Sequence, residues 1–194
     1  SRGNHDMRGI YAEQIADHTP TDNGRSYFSV RVGSLWALVL DCGEDKKDTN
    51  FAYSGLVNFD RYIERQNAWL EKEVASSEWK SAKARIAIRH IPAALTIPHH
   101  NGWKHGLGRL NHMDDILKNA NVTLAMGAHL HNWGFHAPIP DRPYPLVVGG
   151  GPKLGEPIGK SSATLVKCHC KGGAIAVRIL DETGKVVSSE NVKI

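Results

Sequence analysis

The chain has 194 residues, 41% of them hydrophobic, and a formal charge of +4. That length and apolar content suit one domain over residues 1–194 with a sizeable core, and they exclude a disordered chain. The positive charge is interspersed with acids and forms no dense Lys/Arg tract, which argues against a nucleic-acid partner, and no apolar run nears the roughly 20 residues of a membrane span.

The opening residues lack a charged segment followed by an apolar one, so the sequence reads as a mature or truncated product. Residues 25–32 and 35–41 are β-rich runs about a Gly33-Ser34 turn and predict a hairpin, the second run being apolar on both faces as an interior strand requires. It ends in the polar turn Asp41-Cys42-Gly43-Glu44-Asp45. Residues 60–75 carry Tyr62, Ile63, Ala68, Trp69, Leu70 and Val74 at helical spacing with Asp60 as N-cap. A short strand over 84–90 follows, then a long loop to residue 110, a helix over 111–120 and a strand over 122–126. From Tyr144 the pattern turns β-like: strands are expected over 145–148, 163–170 and 174–180, with a last turn at Thr183-Gly184.

Three blocks far apart in sequence carry metal-type donors: Gly3-Asn4-His5-Asp6, the lone His90 closing a strand, and His129-Leu130-His131. Each falls where a strand-like run ends or a turn begins, the place where α/β proteins gather ligands at the carboxyl edge of a sheet. Strand alternation is expected to put His129 and His131 on one side, each reaching a different ion. A dinuclear hydrolase needs this kind of set, neutral imidazoles and oxygen donors that converge on two cations holding phosphoryl oxygens.

Taken together, the blocks resemble the last three motifs of the calcineurin-like metallophosphoesterase superfamily, Gly-Asn-His-Asp/Glu, a single His, and Gly-His-x-His. The surroundings, Arg-Gly-Asn-His-Asp-x-Arg-Gly, Leu-Asp-Cys-Gly-Glu-Asp and Gln66-x-x-Trp69-Leu70, look like the purple-acid-phosphatase-like branch of bacterial exported enzymes, from Arg2 to about Val187. The resemblance implies an α/β fold, the C-terminal portion of a calcineurin-like two-sheet sandwich flanked by helices. It implies two metal ions, iron, zinc or manganese, with Asn4, His90 and His129 on one and His131 on the other. His5 would be the catalytic acid and Asp6 would hold its ring. The implied substrate is a small phosphomonoester or phosphodiester, and the implied compartment periplasmic or secreted. Ala128 stands where the family usually has Gly, a small departure if that position needs no positive φ.

The family's Asp-x-His and Gly-Asp-x-x-Asp/Tyr motifs, which supply the bridging carboxylate, have no counterpart in this sequence. The expectation is therefore a piece of a longer enzyme, inactive by itself and homo-oligomeric, with the strand runs 35–40 and 84–88 uncovered. The alternative is a non-catalytic, self-associating fragment with an incomplete site. Other signals weigh less. Gly155 to Ser161 nearly imitates a phosphate-binding loop but is one residue short between its glycines and leads into a strand. Cys168-His169-Cys170 lacks the spacer of a zinc knuckle, and with Cys42 the cysteines are odd in number. His99 to His105, with Trp103 and Lys104, could line an ester pocket.

Overall fold

The computed structural model describes residues 1–18, 24–92, 107–151 and 163–194. The loop from His99 to His105 and the segment from Gly155 to Ser161 lie outside them. Within the described residues a short helix α1 (Ile15–His18) follows two 3-10 turns, Asn4–Met7 and Ala12–Gln14. Then come β1 (Phe28–Val32), β2 (Leu35–Leu40), α2 (Phe59–Ala75), α3 (Ser77–Ser81), β3 (Ala84–Arg89), α4 (Asn111–Lys118), β4 (Leu124–Gly127), β5 (Gly134–His136), β6 (Leu146–Val148), β7 (Thr164–Lys171), β8 (Ala174–Asp181) and β9 (Val186–Lys193).

Two sheets result. The larger has the order β1-β2-β3-β4-β6-β5, with β2, β3, β4 and β6 parallel and the two edge strands antiparallel. The smaller is the antiparallel meander β7-β8-β9. Strand alternation sorts the apolar residues of the large sheet onto two faces. Leu38, Leu40, Ala87, Ala125, Leu146 and Val148 pack against Ile63 and Leu70 of α2, Trp79 of α3 and Met113 and Leu117 of α4. Ala37, Ala84, Ile86, Leu124 and Val147 pack against Ile175, Val177, Ile179 and Val192 of the small sheet. Each large aliphatic side chain so buried contributes about 1.5–3 kcal/mol, which is why the runs apolar on both faces become interior parallel strands.

Helix α2 begins at Phe59, not at Asp60; Asp60 lies in its first turn and donates its backbone N–H to Asp48 Oδ2 at 2.9 Å, so the cap comes from a distant side chain. Helix α3 was not foreseen, although Ser76 accepts from Trp79 N–H at 3.1 Å as an N-cap should. Strands β5 and β9 were not foreseen either.

The expectation that the runs 35–40 and 84–88 are uncovered is wrong. β2 and β3 pair with each other and each has a second neighbour, and Leu38, Leu40, Ala84 and Ile86 are buried. The large apolar side chains that do face solvent include Ile10, Tyr11, Phe51 and Leu56, all in segments outside the strands and long helices.

Candidate metal centre

Because β2, β3 and β4 run parallel, the segments that leave them meet at one edge: Asp41–Asp45 after β2, His90 after β3, and Ala128–His131 after β4. The backbone ties the last two together, since Ala128 N–H donates to His90 C=O at 2.9 Å. The side chains follow. His129 Nδ1 lies 3.1 Å from His90 Nε2, and the rings meet edge to face with centroids 5.0 Å apart.

His129-Leu130-His131 is not strand-like, contrary to the alternation expected of it. β4 stops at Gly127, and both histidines adopt left-handed backbone, φ 66° and 56°. Histidine is one of the few side chains that tolerates this region, at a cost on the order of 1–2 kcal/mol per residue. Strain of this kind persists where surrounding structure enforces it, and it collects at functional sites. Ala128 has no positive φ, so its departure from glycine costs no backbone strain.

The first block is held against the same edge. Gly3 packs so tightly on the His90 ring that a Cβ there would stand 2.9 Å from Cε1, so this position needs glycine for space rather than for φ, which is −95°. Next to it Asn4 is 1% exposed, and neither polar atom of its amide has a hydrogen-bond partner. His5 and Asp6 are exposed on the same turn. Asp6 Oδ2 accepts from Gly3 N–H at 2.7 Å, so the carboxylate closes its own turn; holding the His5 ring is a role that no contact described here supplies.

Two arginines fasten this turn. Arg2 Nε donates to Asp41 Oδ2 at 2.5 Å, and Arg8 forms a two-point pair with Glu44, at 2.7 and 2.5 Å, with Tyr53 OH donating to Glu44 Oε2 at 3.1 Å. Sequence reasoning quoted these residues but gave them no role. The signal was there: arginines on both sides of Asn4-His5-Asp6, and an acid-rich turn directly after a buried strand.

Burial keeps the paired imidazoles neutral. Desolvation lowers the pKa of His90, with Asp6 opposing it. Desolvation, reinforced by the facing His90, brings His129 down to about 4. His131 and His5 lie near enough to add to both effects, and Asp45 opposes the shift of His129. Burial opposes ionisation of Asp45, yet its pKa ends lowered, because the Lys46 ammonium at 2.7 Å and the charge of Arg8 outweigh burial.

These residues fit one face of a metal site. An ion bonded at about 2.0–2.1 Å to two imidazoles sets their nitrogens roughly 2.9–3.4 Å apart. The 3.1 Å between His90 and His129, a ring N–H···N hydrogen bond whose proton an ion would displace, falls within that range, the rings are neutral as ligands must be, and the buried Asn4 amide lacks a protein partner. Among the described residues, no group of three or more His, Cys, Asp or Glu side chains already stands as a coordination shell.

No family model and no curated protein matches the chain. Solved structures do. A purple acid phosphatase, PPD1, isolated from yellow lupin seeds superposes with a TM-score of 0.57 at 15% identity, covering 90% of this chain. This chain has the fold of the matching part of that phosphatase. GAP50, the anchor in the inner membrane complex of Plasmodium, matches with a TM-score of 0.53 at 16% identity over 87% of the chain. The chain spans about a third of the lupin protein (34%) and about half of GAP50 (53%). The shared fold thus accounts for nearly all of this chain while leaving much of each of those two proteins without a counterpart. No helix among the described residues is long and apolar enough to cross a membrane.

Proposed function

We propose that this chain supplies part of the metal centre of a phosphoester hydrolase acting on small phosphomonoesters or phosphodiesters. The observation that carries the reading is the neutral His90–His129 pair, 3.1 Å apart, beside the buried and unpartnered Asn4 amide at the carboxyl edge of this fold. Asn4, His90 and His129 would hold one ion and His131 a second; iron, zinc and manganese all accept such donors. When bound, such ions supply Lewis acidity toward phosphoryl oxygens and lower the pKa of water. His5, exposed on the turn next to Asn4, is set to donate its ring proton to the departing alkoxide oxygen. Asp6 keeps that turn closed through Gly3. Arg2 and Arg8 hold the turn at both ends, so that His5 stays near His90 and His129.

The bridging carboxylate of a dinuclear centre would come from beyond these 194 residues, in a longer metallophosphoesterase of which this is the C-terminal portion. Without it two cations repel with little compensation, so the chain alone should bind metal weakly and turn over little. A periplasmic or secreted setting follows from the same resemblance.

A non-catalytic, self-associating scaffold is the second reading. What favours it is the exposure of four large apolar side chains, Ile10, Tyr11, Phe51 and Leu56, between 70% and 91%.

The test is a titration of the ¹⁵N-labelled chain with zinc and with manganese, followed on the histidine rings, alongside hydrolysis of nitrophenyl phosphate and its diester. Responses confined to His90, His129, His131 and the Asn4 side chain are expected. Responses spread over His112 and His169 instead, or none at millimolar metal, would remove the metal reading and leave the scaffold.

A further inference from the structure

We infer that Gln66, Asp41 and Arg2 form a positioning relay, running from the middle of α2 to the turn that carries Asn4 and His5. The inference rests on the metal-site reading for its purpose but not for its geometry. Gln66 is fully buried, and its amide grips one residue twice: Oε1 accepts from Asp41 N–H at 2.8 Å and Nε2 donates to Asp41 C=O at 2.7 Å. Burying a primary amide inside a helix packed on a sheet is costly unless both its ends are satisfied, and here one backbone unit satisfies both. Tyr62, one helical turn before Gln66, reaches the same residue from the other side, its OH donating to Asp41 Oδ2 at 3.0 Å. Helix α2 therefore fixes both the backbone and the side chain of Asp41.

The Asp41 carboxylate, wholly buried, accepts three hydrogen bonds. Oδ1 accepts from Gly43 N–H at 2.9 Å, which bends the chain out of β2, and Oδ2 accepts from Tyr62 and from Arg2 Nε at 2.5 Å. Arg2 also lies over the Tyr62 ring, its guanidinium carbon 5.7 Å from the centroid, and the neighbouring Ser1 hydroxyl donates to Leu40 C=O at 2.7 Å. Ser1 and Arg2 are thus tied down at the point where Gly3 must meet His90 without room for a methyl group. The consequence is an Asn4 side chain buried and held without a hydrogen bond of its own. A plain structural cap would give Asn4 a partner or let it reach water. The relay instead spends its bonds on placing a polar group whose own bonding is left open, the arrangement expected of a donor made ready for a ligand.

Arg2→Met, Arg2→Lys and Gln66→Met test this in the full chain. The readouts are thermal midpoint, hydrogen exchange at Asp6 N–H and Arg8 N–H, which close the turn onto Gly3 and His5, and zinc affinity from the histidine rings. Arg2→Met is expected to stay folded, because the Asp41 carboxylate keeps its bonds from Gly43 N–H and Tyr62 OH, while exchange at both amides rises about tenfold, the equivalent of one charge-assisted hydrogen bond. Zinc affinity is expected to fall about 10- to 100-fold in the same variant, with partial rescue by Arg2→Lys. Gln66→Met should act in the same direction through Asp41. Unchanged exchange in a folded Arg2→Met protein overturns the relay. Loosened exchange with unchanged zinc affinity overturns its purpose and leaves a structural cap. A wild-type chain that binds no zinc removes the metal reading, while the exchange data still decide whether the relay exists.

Discussion

Gly3 and His90 are 87 positions apart, yet the glycine Cα lies so close to the imidazole that a Cβ would stand 2.9 to 3.0 Å from three ring atoms. This contact joins the first block to the second and leaves no room between them for a side chain.

Gly3→Ala should therefore push the N-terminal turn off the ring. Overpacking of this kind costs about 1–3 kcal/mol, but here the turn can yield locally, so the loss should show less in global stability than in the site. The measurement is the His90 ring environment by NMR together with zinc affinity. A wild-type ring spectrum in the alanine variant would mean that the approach is looser than described.

The layered core was legible from the sequence because period-two and helical patterns report burial directly: the hairpin of β1 and β2, helix α2, and strands β3, β4, β7 and β8 emerge near their expected bounds. Strand β5 is three residues and α3 five, too short for periodicity to register, while β9 carries Ser188, Ser189, Glu190 and Asn191 and buries only Val192, so it shows little apolar alternation. The site was legible as a set of donors and not as a geometry. Nothing in His129-Leu130-His131 announces left-handed backbone, since that conformation is imposed by the hydrogen bond from Ala128 to His90 and by the end of β4. The relay through Asp41 was invisible for a related reason: a Gln in mid-helix and an Asp after a strand are ordinary singly, and only tertiary packing brings them together.

The left-handed histidines predict an unusual order of stabilities. His129→Ala and His129→Gly both remove the ring and all its contacts, but only alanine keeps a Cβ at φ 66°. The glycine variant should be the more stable by about 1 kcal/mol, net of its greater unfolded-state entropy, opposite to the usual ranking. Urea unfolding of the pair measures it, and an alanine variant at least as stable as the glycine one would mean that the backbone there is unstrained.

Arg89 precedes His90 and is buried, with Nη2 2.5 Å from Asp114 Oδ1 on α4. None of its three guanidinium nitrogens has a hydrogen bond of good geometry, so the close ion-pair contact with Asp114 is the main compensation for a buried charge. Asp114→Ala should cost about 3–5 kcal/mol by leaving the guanidinium unpaired. Arg89→Met combined with Asp114→Leu should recover most of that loss, because apolar replacements of a buried pair are often neutral or better. A double variant as unstable as the single one would show that the pair does more than neutralise charge, and that the position of His90 depends on it.

Cys42 supplies a test by pH. Burial pushes its thiol from an ordinary 9.0 up to about 11, against the opposing charge of Arg89, and its Sγ donates to Ile91 C=O at 3.6 Å. In the folded chain the thiol keeps its proton while the unfolded chain loses it near its ordinary value. The unfolded state thus binds fewer protons between about pH 9 and 11, and stability falls as pH rises through that window, having been fully present below it. Tyr144, raised to about 12 by burial, steepens the same decline at its upper end. Cys42→Ala should flatten the curve relative to wild type over that range by an amount on the order of 2 kcal/mol, after correction for the cavity it leaves. The same burial predicts that a thiol reagent at pH 8 modifies Cys170, which is exposed, long before Cys42, and that Cys42 reacts only as fast as the molecule opens. Parallel alkaline unfolding curves for wild type and Cys42→Ala, together with fast labelling of Cys42 in the native chain, would show that the pocket beneath the site admits water.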